Sequence, residues 1–302
     1  MLPPLSRTFT PVHRTDLRQT LGVLWRGGRD RTMRVLRTEV LRATRTPEGP
    51  GTQLLRALGN RIEVQAWGPG AAWLCERAPV LVGGGDDHHD FPMINADVTG
   101  WHRRFAGMRV PCTQAVWEVL VPVILEQKVT GSEARDSFGA LLRALSEPAP
   151  GPFEHLRLVL PLDPEVVAGT PSHVFHRCGV ERKRSDTIRR AASYAHRLQE
   201  AAEMSLPEGR ARLASLPGIG EWTVSEVAQS ALGDSDAVSV GDYHLKNWAS
   251  WALAGEPRGT DARMIELLEP FRPHRGRVLR LIGASGIRPP KYGPRLSIQP
   301  RW

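Results

Sequence analysis

The first third of the chain reads as α+β, and part of it alternates with a period of two. Ile62, Val64 and Ala66 are interleaved with Arg61, Glu63 and Gln65, the pattern of a strand with one buried face. Stretches rich in Val, Leu and Thr at 20–25, 32–37 and 39–45 add further short strands. Turn residues divide them at Gly27-Gly28, at Thr46-Pro47-Glu48-Gly49-Pro50-Gly51 and at Trp67-Gly68-Pro69-Gly70. From about residue 94 the period becomes 3.6. Ala134, Phe138, Leu141, Leu142 and Leu145 share one helical face, with Ser132 as its expected cap and Pro148 beyond its end. Ile188, Ala191, Ala192, Ala195 and Leu198 form a second stripe, Leu245, Trp248 and Ala252 a third, and Met264, Leu267, Leu268 and Phe271 a fourth. The change of period predicts an α+β fold in two parts: an α+β domain over 1–93 and an all-α region over 94–287. A Pro- and Arg-rich arm follows over 288–302.

Composition narrows the partner. The 302 residues carry a formal charge of +8, which favours a polyanion. No amphipathic basic helix dominates that charge, so nucleic acid fits better than an anionic membrane. The basic residues are 36 Arg and 4 Lys. Arg suits bidentate phosphate contacts, and GC-rich codon usage explains the same bias equally well. No apolar run approaches the roughly 18 residues that span a bilayer, and Met1 to Thr20 has no apolar core of signal-peptide type. The expectation is a soluble cytoplasmic protein, bacterial and associated with the nucleoid. Cys75, Cys112 and Cys178 are too scattered for zinc or an iron–sulfur cluster. Gly83 to Asp90 clusters His and Asp; it reads as a solvated loop, since no helix or strand fixes those side chains as ligands.

The most informative segment is Leu213-Ala214-Ser215-Leu216-Pro217-Gly218-Ile219-Gly220-Glu221-Trp222-Thr223. Two short helical patterns flank a Pro-Gly-Ile-Gly turn. Its glycines permit positive φ and a close backbone approach. The turn opens into a helix N-terminus, where free N–H groups and the helix dipole attract a phosphate. Such a hairpin, spanning 213–233, grips DNA backbone without reading sequence. A tight turn between packed helices accounts for the same residues without DNA. Asp242 follows about 22 residues after Gly220, at the start of a new helix. That distance holds one helix and a return connection, which places the carboxylate beside the hairpin. Capping the new helix is its plainer role.

This arrangement resembles DNA-3-methyladenine glycosylase II, the AlkA type, of the helix-hairpin-helix superfamily. Leu-Pro-Gly-Ile-Gly-x-Trp-Thr followed by Asp-Tyr carries the resemblance. Gly107 to Pro111, Ile124 to Val129 and Pro273-His274-Arg275 extend it, over roughly Phe105 to Gly286. It implies an antiparallel α+β N-terminal domain before an all-α glycosylase region. It also implies a catalytic role for Asp242 and a base pocket that includes Trp222, Glu226 and Tyr243. DNA contacts are implied at Pro217, Gly218, Ile219, Gly220, Gln127, Lys128 and Arg275. No cofactor is required, though the carbonyls of Ala214, Leu216 and Ile219 match those that hold a monovalent cation, Na⁺ or K⁺. Trp222 stands where bifunctional relatives carry a Schiff-base lysine, so strand cleavage is not expected. Three positions depart from the family: Lys128 replaces its Leu wedge, and Glu226 and Gly283 replace aromatic pocket residues.

The expected function is a monomeric, monofunctional glycosylase that flips alkylated bases out of double-stranded DNA and hydrolyses their glycosidic bond. Two alternatives stand beside it: a glycosylase for a deaminated or oxidised base, and a non-catalytic binder of distorted DNA, which has no need of Asp242.

Overall fold

The computed structural model describes residues 3–290. Five strands, β1 (Leu5–Phe9), β2 (Met33–Val35), β3 (Glu39–Thr46), β4 (Gly49–Leu58) and β5 (Arg61–Trp67), form one antiparallel sheet in the order β1-β5-β4-β3-β2. Two helices, α1 (Leu17–Leu21) and α2 (Ala71–Leu81), cover one face. The alternation in β5 does what its pattern predicts: Ile62, Val64 and Ala66 pack with Leu21, Leu55, Leu74 and Ala78 in one core. Each fully buried leucine there contributes roughly 2–3 kcal/mol.

Two local expectations are overturned. Residues 20–24 are helical, not a strand, and only Trp25 is extended. Asp16 caps α1 by accepting the Gln19 N–H at 2.9 Å, and a 3₁₀ turn, Gly22–Leu24, extends it. Thr46 to Gly51 is not a loop either. β3 runs to Thr46 and β4 starts at Gly49, so the turn is only Pro47-Glu48.

Ten helices follow the start of the helical region: α3 (Ala96–Arg104), α4 (Val116–Glu126), α5 (Gly131–Leu145), α6 (Pro164–Gly169), α7 (Ser172–Arg177), α8 (Arg182–Ser193), α9 (Ala195–Gln199), α10 (Leu206–Ala214), α11 (Glu221–Val227) and α12 (Leu245–Ala254). Then come α13 (Asp261–Leu268) and α14 (Arg275–Ser285). Every residue of α4 from Val116 to Leu125 except Glu118 is buried, so α4 is the axis on which α5, α8 and α11 pack. α5 is capped by Thr130, not Ser132: Thr130 and Glu133 close a reciprocal capping box two residues earlier than expected.

Three contacts fix the sheet to the helices. Glu118 of α4 accepts from Arg42 (2.7 Å), from the Arg45 N–H (2.7 Å) and from the Thr44 hydroxyl. The sheet's second face is closed by Ala149, Phe153, Leu158 and Leu160, from a loop of the helical region. The third contact corrects the Gly83–Asp90 reading. That loop is not simply solvated: Asp86 is buried, pairs with Arg277 of α14 and accepts the Val110 N–H at 2.8 Å. Asp90 meets the His274 ring at 2.9 Å. Of the 288–302 arm, residues 291–302 lie outside the described residues. Among the described residues no helix is long and apolar enough to cross a membrane.

Candidate active site

α10 and α11 are the two arms of the hairpin. α11 continues through a π-helical turn, Ala228–Leu232, and stops at Gly233 in the left-handed conformation. At the tip, Gly218 has φ +98°, and a Cβ there would come within 2.6 Å of the Thr187 hydroxyl. Only glycine fits both demands. Pro217, Gly218 and Gly220 are exposed, whereas the Ile219 side chain is buried as the anchor of the turn. The Ile219 N–H closes the turn onto the Leu216 carbonyl at 3.0 Å.

Two side chains hold the tip from outside. Arg190 of α8 donates to the Pro217 carbonyl at 2.9 Å. Gln127 donates to the Gly218 carbonyl at 3.1 Å and to the Thr223 hydroxyl at 3.0 Å. Gln127 therefore joins the end of α4 to the hairpin. Its neighbour Lys128 is exposed and has φ +57°, a conformation rare outside glycine. The hairpin tip, Gln127 and Lys128 thus share one corner of the molecule.

The return connection reaches the same corner. Gly241 turns with φ +89° and its N–H donates to Asp261 at 3.2 Å. Asp242 Oδ1 accepts the His244 and Leu245 N–H groups at 2.7 and 2.9 Å, just where α12 begins. The capping role and the proposed chemical role are therefore divided between two oxygens. Oδ2 faces the Trp222 indole N–H at 3.4 Å, at the loose end of hydrogen-bond range. This contact spans 20 residues and ties the return loop to α11.

Glu226 lies one turn beyond Trp222 on α11. Its carboxyl accepts from the hydroxyl of Ser239, a fully buried residue on the return loop. Burial raises the carboxyl above the usual carboxylate range, opposed by the Ser239 hydrogen bond and the charge of Arg26. Glu126 and Asp242 push it further up. The Glu226 carboxyl is thus paired on a half-buried residue, not solvated on a helix surface.

Two expected site residues lie elsewhere. Tyr243 is 69% exposed and sits edge-on to His244 at 4.9 Å, so it lines no enclosed pocket here. Asp242 turns inward to cap α12 and leaves its neighbour outside. His244 stacks on Trp248, and Arg288 lies 3.8 Å over the Trp248 ring. Arg275 is not free for DNA: Asp236 holds its guanidinium through two bonds, at 2.9 and 2.7 Å, and Glu269 takes a third at 3.1 Å. At Gly283, a Cβ would meet nothing within 4 Å, so the missing aromatic leaves open space. Sequence reasoning missed Ser239, Arg190, Arg26 and Glu126, whose roles depend on contacts across the fold.

Two of the three carbonyls expected to hold a monovalent cation, those of Ala214 and Leu216, have lone pairs to spare. Ala214 ends α10, where helical carbonyls run out of partners. The Leu216 carbonyl keeps a lone pair beyond its bond to Ile219.

No protein-family model matches the chain. It is 30% identical over 142 residues, 46% of its length, to the probable bifunctional transcriptional activator/DNA repair enzyme AlkA of Mycobacterium tuberculosis. It spans 28% of that protein's length, under a third. The 3-methyladenine DNA glycosylase of Archaeoglobus fulgidus has the same fold, with a TM-score of 0.76 at 16% identity over 91% of this chain and 97% of that one. The 8-oxoguanine glycosylase/lyase of Clostridium acetobutylicum, solved with double-stranded DNA, gives 0.69 at 10% identity over 93% and 97%. In fold and in sequence the chain is similar to the AlkA-type glycosylases of the helix-hairpin-helix superfamily.

Proposed function

We propose that the protein is a monofunctional DNA glycosylase of base excision repair, acting on alkylated bases of the 3-methyladenine type in double-stranded DNA. One observation carries the reading: Asp242 is fixed beside the hairpin with one carboxylate oxygen held by backbone amides and the other left toward Trp222. A plain DNA-binding hairpin has no need of that carboxylate.

The chemistry follows from the parts. The exposed tip, Pro217 to Gly220, presents backbone N–H groups to a phosphate. Na⁺ or K⁺ on the Ala214, Leu216 and Ile219 carbonyls would add positive charge there. Lys128 flanks the gap left by the extruded base, and damaged bases stack poorly and leave the duplex more easily. A 3-methylated adenine already carries positive charge and departs without a general acid. Asp242 then stabilises the oxocarbenium-like sugar and orients the water that attacks it. With Trp222 where a lyase would carry an amine, the product is an abasic site on an intact strand. The setting is a monomer acting on chromosomal DNA in a bacterial cytoplasm. A second reading, in which neutral deaminated or oxidised bases are also released, is favoured by the half-buried Glu226 carboxyl, hydrogen-bonded to Ser239 and raised above its usual range.

The test is a base-release assay on duplexes carrying a panel of lesions, with abasic-site detection. Free 3-methyladenine, with strands breaking only after alkali or heat, is the expected result. Binding without release from any lesion would favour the binder, and a borohydride-trapped adduct would contradict monofunctional chemistry.

A further inference from the structure

A second carboxyl beside Asp242 is costly unless it does something. Two carboxylates placed together repel, and burial penalises the charge of each. A cationic leaving base needs no acid, so the proposed chemistry on 3-methyladenine leaves Glu226 unused. The groups that face it come from five parts of the fold. Ser239 donates from the return loop. Glu126 stands at the end of α4, Asp242 at the start of α12 and Arg280 on α14. The fifth, Arg26, comes from the N-terminal domain. Its guanidinium meets Glu126 at 3.0 Å, and both side chains are largely buried. Its backbone is equally fixed: the Arg26 N–H donates to Asp30 at 3.1 Å, and Asp30 also takes the Thr32 N–H at 2.9 Å. The N-terminal domain therefore delivers a fixed cation to the side of the site where Glu226 lies.

We propose that Arg26 is a positioning residue for Glu226, and that the pair extends the enzyme to neutral bases whose departure requires a proton. The inference rests on the glycosylase reading and narrows its substrate range. In the step, the Glu226 O–H bond breaks and the proton passes to a ring nitrogen of the base. The electron pair of the bond to the sugar C1′ leaves with the base. Asp242 stabilises the sugar cation, water adds at C1′ and loses its proton to solvent, and solvent reprotonates Glu226. Arg26 and the Ser239 hydroxyl stabilise the Glu226 carboxylate as it forms, and Glu126 holds Arg26 in place.

The experiment compares single-turnover release of hypoxanthine, a neutral base, with release of 7-methylguanine, a cationic one, from otherwise identical duplexes across pH. In the wild type, hypoxanthine release should fall as pH rises through the titration of Glu226, and 7-methylguanine release should not follow it. Arg26→Gln should lower the hypoxanthine to 7-methylguanine rate ratio at least tenfold. It should also move the falling limb to higher pH, because Arg26 holds the Glu226 titration down. Arg26→Lys should restore most of the ratio, and Glu226→Gln should abolish hypoxanthine release. If Arg26→Gln does not fold, Glu126→Gln unties the same guanidinium and should lower the same rate ratio, without the shift of the falling limb to higher pH, because it also removes a charge that raises Glu226. An unchanged ratio, or an equal fall for both bases with a matching loss of thermal stability, overturns the proposal. So does a wild type that releases 7-methylguanine but no neutral base. Release of neither base defeats the glycosylase reading itself, an outcome distinct from the other two.

Discussion

Two aspartates in this molecule sit in opposite circumstances. Asp86 lies in the seam between the sheet domain and the helices, and both its oxygens are taken: Oδ1 by Arg277 and Oδ2 by the Val110 N–H. Around it the seam is closed, with Arg109 bound to the Arg14 and Ala106 carbonyls and the His102 ring stacked on Phe91 at 4.3 Å. Asp242 lies in the hairpin corner, where one oxygen is held by backbone amides and the other meets only an indole N–H at 3.4 Å. A carboxylate bonded on both oxygens spends its charge on holding elements together. One fixed by a single oxygen keeps the other for a reacting molecule. Substitutions in the seam should therefore cost stability, and those in the corner should cost activity.

The largest stability effect belongs to Asp86→Asn. It leaves the Arg277 guanidinium buried without its counter-charge, a change that costs about 3–5 kcal/mol. Denaturant unfolding should show that loss, while base release per folded molecule stays intact. Loss of activity without loss of stability would break the comparison.

Next is the acid sensitivity of the seam. Burial, then the charges of Arg109 and Arg277, depress His88 to about 4. Burial, then Arg277 and Arg109, depress His102 to about 4. Unfolded histidine takes its proton near pH 6.5, so between about 6.5 and 4 the unfolded state binds more protons. Stability therefore falls as pH drops through that window and levels off below it. His102→Phe should flatten the fall measured by thermal unfolding across pH. An unaltered slope would remove His102 from the account.

The smallest effect sharpens the corner. Lys128→Ala removes an exposed side chain, so stability should change by no more than about 0.5 kcal/mol. Affinity for abasic duplex should drop by roughly 1 kcal/mol, and more than affinity for intact duplex. Equal weakening on both would mark Lys128 as a plain phosphate contact.

Much of this was legible because its signals are local. The alternation in β5, the helical stripes and the Pro-Gly-Ile-Gly tip each need only a few neighbouring residues. The Gly220-to-Asp242 spacing also sufficed to bring the return loop against α11. What escaped depends on distant partners. Arg26 meets Glu126 across 100 residues, and Asp86 meets Arg277 across 191. No periodicity reports either contact. The resemblance at Pro273-His274-Arg275 implies a DNA contact for Arg275, but Asp236, 39 residues away, holds its guanidinium. Thr46 to Gly51 has the composition of a loop, yet Pro50 and Gly51 pair in register with Arg45 and Thr44 inside the sheet. Pairing overrode propensity there.

The central claim is that the open oxygen of Asp242 performs the chemistry. The most direct measurement is single-turnover release of 3-methyladenine from duplex DNA by the wild type and by Asp242→Asn, with duplex affinity and thermal stability followed in parallel. Asparagine can still accept the two amides at the start of α12 but carries no negative charge for the sugar cation. Release should fall by about a thousandfold or more, some 4 kcal/mol of transition-state stabilisation, with affinity and folding nearly unchanged. Release by Asp242→Asn at the wild-type rate would contradict the account.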